Sequence, residues 1–100
     1  MLHTVNKSPS EKPSLQSCLR LACAGSDILF IEDGVYAAIN GTKYSKLVEE
    51  SLKSYQVYAL EADLECRGLD KSQLIDGVQM IDYKGFVSLA VRNKAVHSWL

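Results

Sequence analysis

The chain lacks glycine-rich turns where nucleotide chemistry would need them. Neither GxGxxG nor GxxxxGK[ST] occurs, and the first apolar segment runs into Asn6-Lys7-Ser8-Pro9, with no glycine to let backbone amides approach a pyrophosphate. Nucleotide cofactors are therefore not expected, and Ser8 with Ser10 is too thin a match for a flavin-phosphate loop. Histidine is equally sparse. His3 and His97 stand at opposite ends, and Cys18, Cys23 and Cys66 match no zinc spacing, so no metal centre is expected. No apolar run reaches the ~18 residues of a membrane span. The opening Met1-Leu2-His3-Thr4-Val5 is too short an apolar run for a signal peptide. Long charge runs are absent too: eleven basic and twelve acidic side chains are mixed along the chain for a net charge of −1, which argues against direct, charge-driven binding of nucleic acid. Three cysteines cannot all pair within one chain; they fit a reducing compartment, and the expected location is the cytoplasm. There is no internal repeat, low-complexity segment or linker.

What is present is ordinary globular material in 100 residues, 47% apolar and 23% charged, which sets one domain over 1–100. A chain this size buries somewhat over ~60% of its unfolded surface, so association with other chains is a natural source of further burial. Organisation centres on Asp27 to Asn40. The unbroken run Ile28-Leu29-Phe30-Ile31 suits a strand covered on both faces, Glu32-Asp33-Gly34 an acidic turn, and Val35 to Ile39 a helix. Before it, Leu2 to Val5 reads as a strand. Pro13 and a capping Ser14 then open a helix with Leu15, Cys18, Leu19, Ala22 and Cys23 on one side, ending at Gly25. After it, Thr42 caps a helix with Tyr44, Leu47, Val48, Ser51 and Leu52 on its core side. Gln56 to Leu60 is a strand, Glu61 to Cys66 a short helix, and Gly77 to Ile81 a fourth strand. Asp82 caps a last helix whose Tyr83, Phe86, Val87, Ala90 and Val91 follow the helical period, and Ala95 to Leu100 could add an edge strand. The resulting β-α alternation predicts an α/β fold: a flavodoxin-like three-layer sandwich with a parallel sheet of four to five strands and helices on both faces.

In such sheets chemistry gathers at the carboxyl ends of the strands. That places Lys7, Glu32 and Asp33 on the side to watch. Lys7 could meet a sulfur anion or an acidic partner. Glu32 and Asp33 could act as an acid/base pair, although an aspartate in that position more often caps the helix that follows. Trp99 near the chain end calls for a contact, within the domain or across a subunit boundary. None of the cysteines falls at a strand's carboxyl end or a helix's amino end, where a thiolate is favoured. Cys18 lies mid-helix at the edge of the apolar stripe, and the choice there is between a half-buried small hydrophobe and a sulfur-handling thiol.

Several segments together resemble the DsrH/TusB family: His3-Thr4-Val5-Asn6-Lys7-Ser8-Pro9, Ile31-Glu32-Asp33-Gly34-Val35-Tyr36-Ala37-Ala38, Asp63-Leu64 with Arg67-Gly68, Ile81-Asp82-Tyr83 with Phe86-Val87, and the closing Trp99-Leu100. The resemblance implies a DsrE-like domain acting as the smallest, auxiliary subunit of a heterohexamer with DsrE/TusD-like and DsrF/TusC-like partners. In such a relay the DsrE/TusD-type subunit accepts persulfide sulfur and passes it to a DsrC/TusE-type protein, in sulfur oxidation or in 2-thiolation of the tRNA wobble uridine. No cofactor is implied. A cysteine where Cys18 stands is similar to the DsrH branch and makes Cys18 a candidate secondary persulfide acceptor; Cys23 and Cys66 match no sulfur site of the family. The competing expectation is a stand-alone homo-oligomeric module on the same fold that binds a small ligand or senses redox state.

Overall fold

Strands and helices alternate along the computed structural model, which describes residues 1–22 and 24–100. Strand β1 (Leu2–Val5) is followed by α1 (Ser14–Leu21), β2 (Asp27–Phe30), a 3-10 helix (Glu32–Ala38), α2 (Ser45–Ser51), β3 (Gln56–Leu60) and α3 (Glu61–Cys66). A short second 3-10 helix (Lys71–Gln73), β4 (Gln79–Ile81), α4 (Tyr83–Arg92) and β5 (Val96–Trp99) complete it. All five strands are parallel, in the order β4-β3-β2-β1-β5. The chain thus steps in one direction from β1 to β4 and reverses once, so the reversal point lies between β1 and β5; in flavodoxin the third strand already makes it.

Right-handed crossovers decide where the helices go. Three steps in one direction carry α1, α2 and α3 over one face of the sheet, and the single return from β4 to β5 carries α4 over the other. The side chains agree. On the first face Val5, Ile28, Phe30, Val57 and Ala59 pack against Leu15 and Cys18 of α1, Val35, Ala37 and Ala38 of the 3-10 helix, Val48 of α2 and Leu64 of α3. On the second face Leu2, Leu29 and Tyr58 meet Leu89 of α4, flanked by Ile31, Ile81, Phe86 and Ala90. One face has a full layer of helices and the other a single helix.

Local expectations hold where the signal is local. The spans expected for β3 and α3 are those observed, the tail forms edge strand β5, and the Asp82 carboxylate caps α4 by accepting from the Gly85 N–H at 2.8 Å. They give way where a long-range partner competes. Ser14 is the first residue inside α1 rather than its cap, because its hydroxyl donates to the Leu100 carbonyl 3.2 Å away. The helix expected after Gly34 is a 3-10 helix that already begins at Glu32, and α2 begins at Ser45 behind Tyr44, with no side-chain cap. Cys23 lies outside the described residues.

The apolar residues that follow the period of α4 are divided between two sides: Phe86 and Ala90 are half-buried beside the buried Leu89, whereas Tyr83, Val87 and Val91 face outward, 69%, 50% and 80% exposed. The roll of the helix is set at its last turn, where the Arg92 guanidinium and the Asn93 amide donate to the same Asp27 carboxylate oxygen at 3.0 and 2.9 Å. Residues on that side of the helix go in, and the row half a turn away goes out.

The carboxyl ends of β1 and β2 are held together by a close pass of backbone. A Cβ added to Gly34 would run into the Val5 carbonyl, so only glycine lets the 3-10 helix lie against β1. Gly34→Ala is expected to cost about 3 kcal/mol, at the upper end of overpacking penalties, or to prevent folding. Urea unfolding measures it, and an unchanged midpoint would mean that the turn has room to move.

Candidate functional site

The carboxyl edge of the sheet is where three chain segments converge, and each is shaped by what its own residues require. After β1 the chain turns through Ser8 to Lys12: the Glu11 N–H donates to the Ser8 carbonyl at 2.9 Å, and the Ser8 and Ser10 hydroxyls lie 2.9 Å apart. After β2 the backbone takes a conformation that side chains resist, since Glu32 has a φ of 50°. The strain is held by a specific bond, the Glu32 N–H donating to a carboxylate oxygen of Asp63 at 2.7 Å. Asp63 comes from the first turn of α3, directly after β3.

Arg67, just past α3, ties these segments together. Its guanidinium donates to Asp33 through Nε at 2.9 Å and sits with Nη2 2.8 Å from the same oxygen, while Nη1 donates to the Asp63 carbonyl at 3.0 Å. Asp33 is therefore neither a helix cap nor half of an acid/base pair with a free Glu32. Its carboxylate is occupied by Arg67, and the position before the 3-10 helix is Ile31. Beside this bridge lies a cleft of about 490 Å³ lined by Ser8 to Glu11, Asp33, Tyr36 and Thr42 to Tyr44. Lys43 holds its ammonium 5.2 Å from the Tyr44 ring centroid. The arrangement offers hydroxyls, one cation and two phenols to a polar guest or partner segment. Among the described residues no cluster of three or more histidine, cysteine or acidic side chains is placed to hold a metal ion.

The expected site residues fall in two places. Lys7, Glu32 and Asp33 share the carboxyl edge, Lys7 half-buried and Glu32 exposed, and Trp99 ends the neighbouring strand in register with Val5. Trp99 spends its contacts inside the domain. It packs against the first-face core, stacks on His97 with ring centroids 4.4 Å apart, and donates its indole N–H to His3 Nδ1 at 3.1 Å. Cys18 is fully buried in the first-face core, the cluster that also holds Val5 and Leu15 and against which Trp99 packs. Burial pushes its thiol up to about 12. Cys66 is exposed at the end of α3, and its neighbour Arg67 has turned to Asp33 and Asp63.

Arg67 and Asn6, which enter the sequence reading chiefly through the family resemblance, take specific places in the structure. The Arg67 bridge had a local signal in the i, i+4 spacing of Asp63 and Arg67, which on a helix brings the pair within reach. Asn6 had none: its side-chain oxygen is buried at the end of β1 with no hydrogen-bond partner.

Comparison with known proteins follows from this geometry. The family model described as DsrH like protein matches residues 7–96. The chain is similar to Protein TusB of Photorhabdus laumondii, 43% identical over 100 residues, and to Protein TusB of Escherichia coli K12, 39% identical over 101 residues; in both cases 99% of this chain and 100% of the relative are covered. In fold it resembles the ychN protein of E. coli, with a TM-score of 0.83 at 20% identity over 97% of each chain. MTH1491 of Methanobacterium thermoautotrophicum, described as a protein of unknown function, gives a TM-score of 0.76 at 20% identity over 97% of this chain and 95% of that one.

Two titrations follow from the buried groups. Because the folded state raises the Cys18 pKa from an ordinary 9.0 to about 12, it favours the neutral thiol. The associated stability is complete below pH 9 and is lost as pH rises toward 12. Alkylation of the native protein at neutral pH, mapped by peptide mass spectrometry, should label Cys66 and spare Cys18; rapid labelling of Cys18 would mean that α1 opens readily. His3 moves the other way. Burial, reinforced by His97, pulls it below its usual 6.5, and Nδ1 must stay unprotonated to accept from Trp99. Its contribution is present above pH 6.5 and is lost as pH falls through the lowered value. Trp99 is the only tryptophan, so its fluorescence should report the change on acidification in the wild type and lose that dependence in His3→Phe.

Proposed function

The chain belongs to the DsrH family, and from that membership we propose that it serves as the auxiliary subunit of a cytoplasmic sulfur-relay complex. Its partners are a DsrE/TusD-like and a DsrF/TusC-like subunit in a heterohexamer, and the relay delivers persulfide sulfur to a DsrC/TusE-like acceptor. The TusB name borne by relatives at 39–43% identity favours 2-thiolation of the tRNA wobble uridine as the pathway, whereas the cysteine at position 18 leans toward the sulfur-oxidising branch. We take the thiolation pathway.

The observation that carries the reading is the placing of the thiols in a chain that matches the relatives over its full length. Relay of sulfur needs an exposed thiolate: the acceptor thiolate attacks the outer sulfur of a persulfide, the S–S bond to the donor cysteine breaks, and that cysteine leaves as a thiolate. Cys18 is buried and held neutral, and Cys66, at the end of α3, has its neighbouring cation Arg67 turned away to Asp33 and Asp63. The sealing of Cys18 supports an acceptor cysteine on a partner, with this chain contributing surface. Cys18 is at most a secondary acceptor, reached when α1 lifts away. Among the described residues no helix is long and apolar enough to cross a membrane, in keeping with work in the cytoplasm.

Intact-mass spectrometry of the co-purified complex after exposure to a persulfide donor tests this. Added sulfur is expected on the DsrE/TusD-like partner, with Cys18→Ala retaining assembly and at least half of the transfer rate. Sulfur mapped to Cys18 together with abolished transfer in Cys18→Ala would make this chain the primary carrier and overturn the auxiliary role. A well-folded homo-oligomer that ignores both partners would favour the stand-alone module instead.

A further inference from the structure

The cleft at the carboxyl edge is bounded by loops that the fold already holds still. After β1 the Glu11 and Lys12 N–H groups both donate to the Ser8 carbonyl, at 2.9 and 3.2 Å. Before α2 the Thr42 N–H donates to the Ser45 hydroxyl at 3.0 Å, and the Tyr44 N–H donates to the Thr42 hydroxyl at 3.3 Å. Arg67 fixes Asp33. The cleft volume of about 490 Å³ falls within the roughly 300–1,000 Å³ of small-molecule sites, and parallel sheets bind their ligands beyond the carboxyl ends of the strands. Within the 3-10 helix Val35, Ala37 and Ala38 are buried, whereas the Tyr36 ring is 40% exposed and lines the cleft.

The groups left unspent narrow the guest. Glu11 and Lys43 join no ion pair among the described residues, and both Arg67 contacts fall on Asp33 Oδ1, which leaves Oδ2 able to accept. In the Ser8–Ser10 pair one hydroxyl donates to the other, so one O–H remains for a further acceptor. A phosphate-bearing guest fits poorly, because two carboxylates line the cleft beside a single ammonium. A purely apolar guest fits no better, since it would strip water from those groups and return no hydrogen bond. A guest with one charge of each sign satisfies both kinds of group, while Pro9 and the Tyr36 and Tyr44 rings give its apolar part a surface to lie on.

We propose that the cleft is a binding site for a zwitterionic short peptide, its carboxylate on Lys43 and its ammonium on Glu11 and Asp33 Oδ2. At about 30 Å³ for each water-sized group, the space takes on the order of fifteen non-hydrogen atoms, the size of a dipeptide. The charged groups are open to solvent and screened, so the affinity is millimolar. No partner subunit is needed, and the site stands or falls apart from the relay reading.

Titration of the isotope-labelled full chain with the dipeptide alanyl-leucine, followed by amide chemical shifts, tests this. Saturable shifts are expected at Ser8 to Glu11, Tyr36 and Thr42 to Tyr44. The N-acetylated and the C-amidated dipeptides should each bind about fivefold more weakly, the upper end for a screened surface ion pair. Lys43→Gln should erase the penalty for amidation and Glu11→Gln should reduce the penalty for acetylation. Both variants should melt as the wild type does, since neither side chain joins an ion pair of the fold among the described residues. Equal binding of free and blocked dipeptides, an amidation penalty that survives Lys43→Gln, shifts confined to another part of the surface, or no saturation at millimolar peptide would overturn the proposal.

Discussion

A single buried carboxylate decides how this molecule meets its surroundings. Asp27 opens β2 and is 7% exposed. An ionised group so placed costs several kcal/mol unless it is paired and hydrogen-bonded. The pairing comes from the far end of the chain: Arg92 and Asn93 close on one oxygen of Asp27, and the Asn93 amide also donates to the Leu89 carbonyl, which locks the last turn of α4 to its own helix. With that turn fixed, Leu89 must point into the sheet and Val87 and Val91 must point away. The exposed stripe is thus a consequence of satisfying a charge, and repacking α4 to bury it would leave Asp27 without partners.

The opposite edge is governed by backbone rather than by charge alone. Gly34 lets the 3-10 helix press on β1, and this brings Glu32 to a positive φ, a conformation that persists because the Asp63 carboxylate takes its N–H. Arg67 then joins Asp33 to Asp63. Asp33 is 47% exposed, so solvent screens the pair and the gain in stability is modest. What the bridge adds is a fixed distance between the ends of β2 and β3, and hence a defined floor for the cleft beside Tyr36. A surface offered to partners needs that definition more than it needs a reactive group.

Much of the fold was legible in the sequence because its signals are local. The unbroken Ile28 to Ile31 run, the alternation of strand and helix patterns, the Asp82 cap and Gly68 behind α3 each depend on a few adjacent residues, and those elements appeared where expected, whereas α1, expected to stop at Gly25, already ends at Leu21. The failures share one physical cause. Ser14 and Asp33 could have capped helices, but partners 86 and 34 residues away claimed their side chains. In α4 the 3.6-residue period was read correctly, yet a period carries no information about phase when both sides of the helix bear apolar residues. The phase came from Asp27, 65 residues earlier in the chain. Of the site, the carboxyl-edge residues Lys7, Glu32 and Asp33 could be located from strand ends alone, whereas the Arg67 bridge and the orphan Asn6 oxygen depend on how loops meet.

These constraints account for a sulfur-relay subunit whose Cys18 thiol is sealed in the core while Cys66 stays at the surface. A sheet of five strands has two faces to cover, and in 100 residues the chain spends α1, α2, α3 and a 3-10 helix on one of them. The other receives α4 alone and keeps an apolar row in water, an arrangement that a small domain with little surplus burial tolerates poorly in isolation. Burial of Cys18 adds to the first-face core and in the same step disfavours its thiolate, so a single packing choice both strengthens the sheet and quiets the thiol.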